Sequence, residues 1–169
     1  MDALLLAIQN SYFAYWLSQG AYPVVLTFHS IGLALLVGLL VIIDLRVLGI
    51  GRELPIPSLR GFMKVVWIGF VANLASGILL FCISPEKFFY SNMFRFKILF
   101  IVLGVVLGAL LNSSLLRVGD EYAMSANPTA RQRTLAFLSL TCWAAAIFTG
   151  RWLAYVTFGD IGIATGEAG

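Results

Sequence analysis

The residues best suited to chemistry in this 169-residue chain are its single histidine, His29, and three cations. His29 lies about two helical turns inside the first long apolar stretch, and Arg151 lies about two turns before the end of the last one. In a bundle of four consecutive helices, both residues would lie about 10 Å from the same outer surface. Lys97 and Arg95 begin the third stretch from that side, and their long side chains can extend to this level.

One imidazole and three cations at one depth predict a haem-b site. The outer half of every apolar stretch lacks an acidic residue, so the cations need an anionic partner from outside the chain. The imidazole of His29 can ligate haem iron, and the two propionates would neutralise Arg151 together with Lys97 or Arg95. His29 is therefore the predicted metal ligand.

Small residues around His29 predict room for a porphyrin between two helices. Gly32 follows His29 by about one turn on nearly the same face. The second apolar stretch carries a small stripe, which comprises Gly69, Asn73, Ser76 and Gly77. Trp152 and Tyr155 would line the rim of the site. Because the chain has one histidine, the second axial position would be empty, filled by another residue type or supplied by a neighbouring chain.

Such a site would serve electron transfer or redox sensing on the outer side of a membrane, with a redox partner or a quinone. Three alternatives stay open. In the first, His29 is a hydrogen-bonded side chain inside the bundle, with Asn73 or Tyr155 as its partner. In the second, the same cations form the vestibule of a small-anion channel or transporter. In the third, the chain is a non-catalytic structural or accessory subunit whose charges only anchor it. A hydrolase or transferase is disfavoured, because no Ser-His-Asp set or carboxylate pair lies at one level.

A second group of charged residues marks the opposite, inner level. Asp44 and Arg46 come near the end of the first apolar stretch, and Arg60 and Lys64 come at the start of the second. Antiparallel neighbours would bring Asp44 close to Lys64 or Arg60. We therefore expect an ion-pair cluster that anchors the helices and sets their orientation. A proton or ion gate would use the same residues.

The composition indicates that membrane-spanning helices position these residues. Hydrophobic residues make up 60% of the chain and charged residues 11%, and the mean hydropathy is +0.94. A soluble domain carries about 25% charged residues, so a soluble globule is excluded. Intrinsic disorder is excluded by the 14% of aromatic residues. Nucleic-acid binding is disfavoured, because the net charge is only +3 and the basic residues form no block.

The predicted fold is an all-α, integral-membrane four-helix bundle in a single domain. Four continuously apolar stretches reach the roughly 20 residues that a spanning helix needs. Their expected bounds are 22–50, 58–83, 93–116 and 133–158. An apolar stripe through Leu5, Ile8 and Tyr12 predicts a short interfacial helix over about 3–17, lying in the lipid headgroup region.

The positive-inside rule gives the expected orientation in the lipid bilayer. Arginines and lysines concentrate around the first and third connections, which predicts that those connections are cytoplasmic and that both termini are periplasmic. Gly104 and Gly108 form a G-x-x-x-G motif that permits close packing of apolar helices. We expect this face to serve either internal packing or a homo-oligomer, and we favour the oligomer, because four short helices offer little interior for a cofactor.

Two segments resemble a family of small four-helix bacterial inner-membrane proteins of uncharacterised activity. The first is His29-Ser30-Ile31-Gly32-Leu33-Ala34, continuing to Asp44-Leu45-Arg46-Val47-Leu48-Gly49. The second is Gly150-Arg151-Trp152. The resemblance implies a bacterial inner-membrane location and brings no activity, so the haem prediction depends on the residues alone.

Overall fold

A computed structural model of the protein describes the backbone of residues 2–51, 53–54, 56–116 and 127–164, and the side chains of these except 2, 56–60, 116 and 154–164. Every regular element in the described residues is helical, which confirms the predicted all-α class. In chain order the helices are α1 (Asp2–Gln9), α2 (Tyr12–Trp16), α3 (Tyr22–Leu48), α4 (Ile56–Ile83), α5 (Pro85–Tyr90), α6 (Asn92–Leu116) and α7 (Ala130–Ala164).

Four helical stretches are long and apolar enough to cross a membrane, as the sequence predicts. They are Tyr12–Leu48, Gly61–Ile83, Asn92–Leu115 and Ala130–Leu153. Large apolar side chains cover their outside: Phe28, Ile68 and Phe137 are each 60% exposed or more. A surface this apolar suits contact with lipid, since soluble monomers rarely expose large contiguous apolar patches.

The four long helices pack as two pairs, α3 with α4 and α6 with α7, and α7 also packs against α3. Two clusters of buried side chains hold the pairs together. One contains Leu36, Val37, Leu40, Val66 and Trp143, and the other contains Ile43, Val47, Leu111, Leu115 and Ala136. Both clusters combine residues of α3 and α7, so α3 contributes to the whole length of the interior.

Gly104 and Gly108 pack inside this bundle, which corrects their assignment to an oligomer face. A Cβ at Gly104 would lie 2.9 Å from Cε2 of Trp143, and one at Gly108 would lie 3.7 Å from Cδ2 of Leu40. The indole ring of α7 and a leucine of α3 therefore occupy the small-residue face of α6. That face is not available to a second copy of the chain.

The predicted interfacial helix over 3–17 is divided in two. The helix α1 ends at Gln9, and Ser11 has extended backbone angles and accepts a hydrogen bond from Ala14 N at 3.1 Å. This serine caps a new helix, α2, which continues through a π-helical turn, Leu17–Ala21, into α3. The first membrane-length stretch therefore begins at Tyr12, about ten residues before the predicted bound of 22.

Asp44 does not pair with Lys64, one of its two predicted partners. Asp44 is 1% exposed, whereas Lys64 is exposed, and Asp44 Oδ2 has no hydrogen-bond partner in the described part of the chain. The side chain of Arg60 lies outside the described residues. Arg46 is buried and donates from Nε to Leu54 O at 2.7 Å, which holds the connection after α3 against the helix end. Gly49, with φ of 107°, terminates α3 in the left-handed conformation.

Candidate functional site

The imidazole of His29 on α3 is held by two residues of α4. His29 Nδ1 lies 3.1 Å from Asn73 O and 3.0 Å from Ser76 Oγ. The Asn73 side chain donates in return from Nδ2 to the backbone oxygen of His29 at 2.9 Å. These reciprocal bonds fix the ring against α4, and Asn73 is one of the two partners named in the alternative in which His29 is a hydrogen-bonded side chain inside the bundle.

The contacts of Nδ1 bear on which ring nitrogen of a neutral His29 carries the hydrogen. Ser76 Oγ donates its own hydrogen within α4, to Ala72 O at 2.6 Å, and is therefore an acceptor toward the ring. Asn73 O is a carbonyl oxygen and is also an acceptor. Two acceptors at about 3 Å favour a hydrogen on Nδ1 and a free lone pair on Nε2, whereas the Asn73 Nδ2 donor lies farther from Nδ1, at 3.4 Å.

The position of Asn73 and Ser76 follows from a close crossing of α3 and α4 at two glycines. A Cβ at Gly32 would lie 2.8 Å from Asn73 N and 3.0 Å from Gly69 O, and one at Gly69 would lie 2.9 Å from Leu36 N. These distances are too short for any side chain, so the backbones touch at this point. Gly32 and Gly69 are used for helix contact and leave no room for a porphyrin between α3 and α4, which corrects the prediction made for Gly32.

Gly77 provides the surface against which the imidazole lies. A Cβ there would lie 3.3 Å from Cε1 and 3.7 Å from Nδ1 of His29. Asn73, Ser76 and Gly77 are spaced three and four residues apart, which places them on one face of α4. The sequence contained this stripe, but its spacing did not predict Ser76 as a hydrogen-bond partner or Gly77 as the seat of the ring.

Lys97 is the cation that the structure brings to His29. Its ammonium group interacts electrostatically with the imidazole, and its Cδ and Cε would each lie 3.5 Å from a Cβ at Gly150 on α7. Lys97 is half-buried, and within the described residues it has neither an ion-pair partner nor a hydrogen bond. The lysine stem thus crosses from α6 to α7 and ends near α3 as an uncompensated positive group.

The other predicted site residues lie around this group with different exposures. Arg151 follows Gly150 directly and is exposed. Trp152 is 48% exposed, and its ring stacks on Phe148 at a centroid distance of 5.8 Å. Arg95 is exposed and lies two residues before Lys97, which turns it about 200° away around α6. The side chain of Tyr155 lies outside the described residues.

The described residues contain no group of three or more His, Cys, Asp or Glu side chains that could hold a metal ion by themselves. A metal at His29 would therefore need other ligands, which a porphyrin supplies. No family model, curated protein or solved structure matches this chain. The candidate site is accordingly interpreted from its own geometry.

Proposed function

We propose that the protein binds haem b in a membrane, with Nε2 of His29 as the axial ligand of the iron. The observation that carries this proposal is the contact of Nδ1 with two acceptors, Asn73 O and Ser76 Oγ, which favours a hydrogen on Nδ1 and a free lone pair on Nε2. Histidines that ligate metals almost always donate their second ring nitrogen to a carbonyl or carboxylate, which fixes the tautomer and raises ligand basicity. The α3–α4 crossing supplies this arrangement within one chain.

The cations would hold the propionates of the bound haem. Lys97 is near the imidazole and has no carboxylate partner among the described side chains, and Arg151 is one residue from the glycine against which Lys97 packs. The closed crossing at Gly32 requires the porphyrin to lie along the surface of the bundle beside His29 instead of between α3 and α4. A neighbouring chain in a homo-oligomer would be able to cover its other face.

The proposed role is electron transfer or redox sensing. A bound haem supplies one-electron chemistry, whereas the protein residues bind it, orient it and set its electrostatic surroundings. The proposed location is a bacterial inner membrane with both termini in the periplasm, which would place His29 and Lys97 toward the periplasmic surface. A redox partner or a quinone would then exchange electrons at that level.

Absorption spectroscopy of the purified full-length protein tests this proposal. We expect a Soret band after expression in a haem-replete host, loss of the band in His29→Ala, and its recovery when imidazole is added to His29→Gly. Lys97→Gln and Arg151→Gln should weaken haem binding, whereas Arg133→Gln, an exposed arginine at the start of α7, is the matched control and should not. A colourless preparation, or a band that survives in His29→Ala, would refute haem ligation by His29.

The unpaired Lys97 also favours a second candidate, a binding site for a small anion in a channel or transporter. A half-buried ammonium group without a carboxylate attracts an anion from outside the chain. This candidate predicts chloride flux in liposomes that falls in Lys97→Gln and persists in His29→Ala. If neither variant changes flux or haem binding, the remaining proposal is a structural or accessory subunit.

A further inference from the structure

A second buried polar site lies at the end of the bundle opposite His29. Asp44 on α3 is 1% exposed and Ser139 on α7 is 0% exposed, and Ser139 is the side chain that interacts with the Asp44 carboxyl group. The residues around Asp44 in α3 are apolar: Ile43 and Val47 belong to one buried cluster, and Leu40 belongs to the other. The carboxyl group is therefore enclosed between two apolar clusters.

Both side chains have a polar atom that is left without a hydrogen bond. Asp44 Oδ2 and Ser139 Oγ are fully buried, and neither has a hydrogen-bond partner within the described residues. Ser139 differs in this from other hydroxyl residues of the long helices. Thr27, Thr141 and Thr149 each donate to the carbonyl oxygen four residues earlier, at 2.8 to 2.9 Å. The hydroxyl of Ser139 instead lies near the Asp44 carboxyl group, without a contact inside hydrogen-bonding geometry.

Among the residues whose side chains the structure describes, which do not include Arg60, the cations at this end of the bundle do not neutralise Asp44. Arg46, two residues along α3, is bonded to Leu54 O and faces away from the carboxyl group. Lys64 on α4 and Arg131 and Arg133 on α7 are exposed. The described residues of α6 at this end are apolar or neutral, ending in Asn112, Ser113 and Ser114 before Leu115 and Leu116. No positive charge within the described residues forms an ion pair with Asp44.

We propose that Asp44 is a proton-binding site, in which the protonated carboxyl group donates a hydrogen bond from one oxygen to Ser139 Oγ. An ionised carboxylate enclosed by apolar side chains and without a partner is unstable by several kcal/mol, whereas a neutral acid with a hydrogen bond is not. One proton from water forms one O–H bond and removes the charge, and the same hydrogen would satisfy both unpartnered oxygens once they approach within hydrogen-bond distance. No other atom has to enter the tightly packed interior.

Asp44 lies close to one end of α3. Asp44 is four residues from Leu48, the last residue of α3, so it lies about 6 Å from that helix end. Ionisable groups inside membrane helices often mark proton or ion pathways. This proton site stands on residues of α3 and α7 that take no part in the His29 site, so it succeeds or fails independently of haem binding.

Infrared difference spectroscopy of the full-length protein in lipid tests this assignment. At neutral pH we expect a C=O stretching band of a protonated carboxylic acid that shifts on transfer to D2O and is lost in Asp44→Asn. Ser139→Ala should keep the band and move it to higher frequency, because the acid loses its hydrogen-bond acceptor. Glu53→Gln removes an exposed carboxyl group at the same end of the bundle and is the matched control, in which the band should be unchanged.

Three results would overturn the assignment. They are the absence of the band at neutral pH, the survival of the band in Asp44→Asn, and an unchanged band frequency in Ser139→Ala. The unfolding temperature is also measured with added sodium chloride at constant ionic strength. A rise in the natural protein but not in Asp44→Asn would identify a bound Na⁺ in place of the proton. If Asp44→Asn does not fold, the frequency shift in Ser139→Ala still decides the assignment.

Discussion

Replacement of Gly32 by alanine tests whether the crossing of α3 and α4 builds the His29 site. The new Cβ would lie 2.8 Å from Asn73 N, 3.0 Å from Gly69 O and 3.2 Å from Asn73 Cα. All three atoms belong to the backbone of α4, so no side-chain rotation can relieve the overlap. Ordinary contact begins at about 3.4 Å, and the two helices must therefore separate by about 0.6 Å.

A separation of this size affects both stability and the site. Overpacking an interior by one methyl group costs about 1–3 kcal/mol. Taken along the bond, the same movement lengthens the His29 Nδ1 to Ser76 Oγ contact from 3.0 Å to about 3.6 Å, beyond the range of a hydrogen bond. The imidazole then loses the bonds that fix its orientation, and we expect weaker binding of any ligand at Nε2.

Thermal unfolding in detergent measures the first effect, and Gly38→Ala on the same helix is the matched control. A Cβ at Gly38 meets nothing within 4 Å, and alanine favours a helix over glycine by up to about 1 kcal/mol. We expect Gly38→Ala to unfold at or above the temperature of the natural protein, and Gly32→Ala clearly below it. Equal unfolding temperatures for the two variants would refute the close crossing and with it the geometry deduced for His29.

Two further substitutions test the packing of α6 and the start of α7. Gly104→Ala should destabilise the fold by about 1–3 kcal/mol, because the buried indole ring of Trp143 packs directly against this position. Gly61→Ala is the control and should not destabilise the fold, because its Cβ meets nothing within 4 Å. Gln132→Ala should lower the free energy of unfolding by about 0.5–2 kcal/mol, because Gln132 Oε1 accepts a hydrogen bond from Thr129 N at 2.9 Å and caps the helix. Arg133→Ala, at the exposed neighbouring position, is the control and should be nearly neutral in the same unfolding assay.

The number of long apolar helices was predictable from local hydropathy, and the proximity of His29 to Asn73 was predictable from their matched depth in neighbouring helices. Hydropathy over about 20 residues identifies a spanning helix without knowledge of its neighbours. Gly32 follows His29 by about one turn, and Asn73 belongs to the small stripe of the next apolar stretch. Antiparallel neighbours of similar length bring such residues to a common depth, which the contact between His29 and Asn73 bears out.

The use made of each small-residue stripe was not predictable from its spacing. A stripe of glycines permits close approach, but its spacing does not determine whether a ligand, another helix or a second chain packs against it. At Gly32 the approaching atoms belong to α4, and at Gly104 they belong to Trp143 of α7. The same limit applies to Asp44, whose depth matched Lys64 while its rotation about α3 directs it at Ser139 instead.

The two glycine contacts also explain why His29 is oriented before any ligand arrives. The hydrogen bonds of the His29 ring with Asn73 and Ser76 require α4 to touch α3, and only glycine at positions 32 and 69 permits the two backbones to come this close. A ligand at Nε2 therefore does not have to supply the free energy of ordering the ring, which would favour tight binding by a single protein ligand. In the proposed haem site, rigidity of the one histidine would compensate for the lack of a second histidine ligand, and this rigidity comes from backbone contact between α3 and α4.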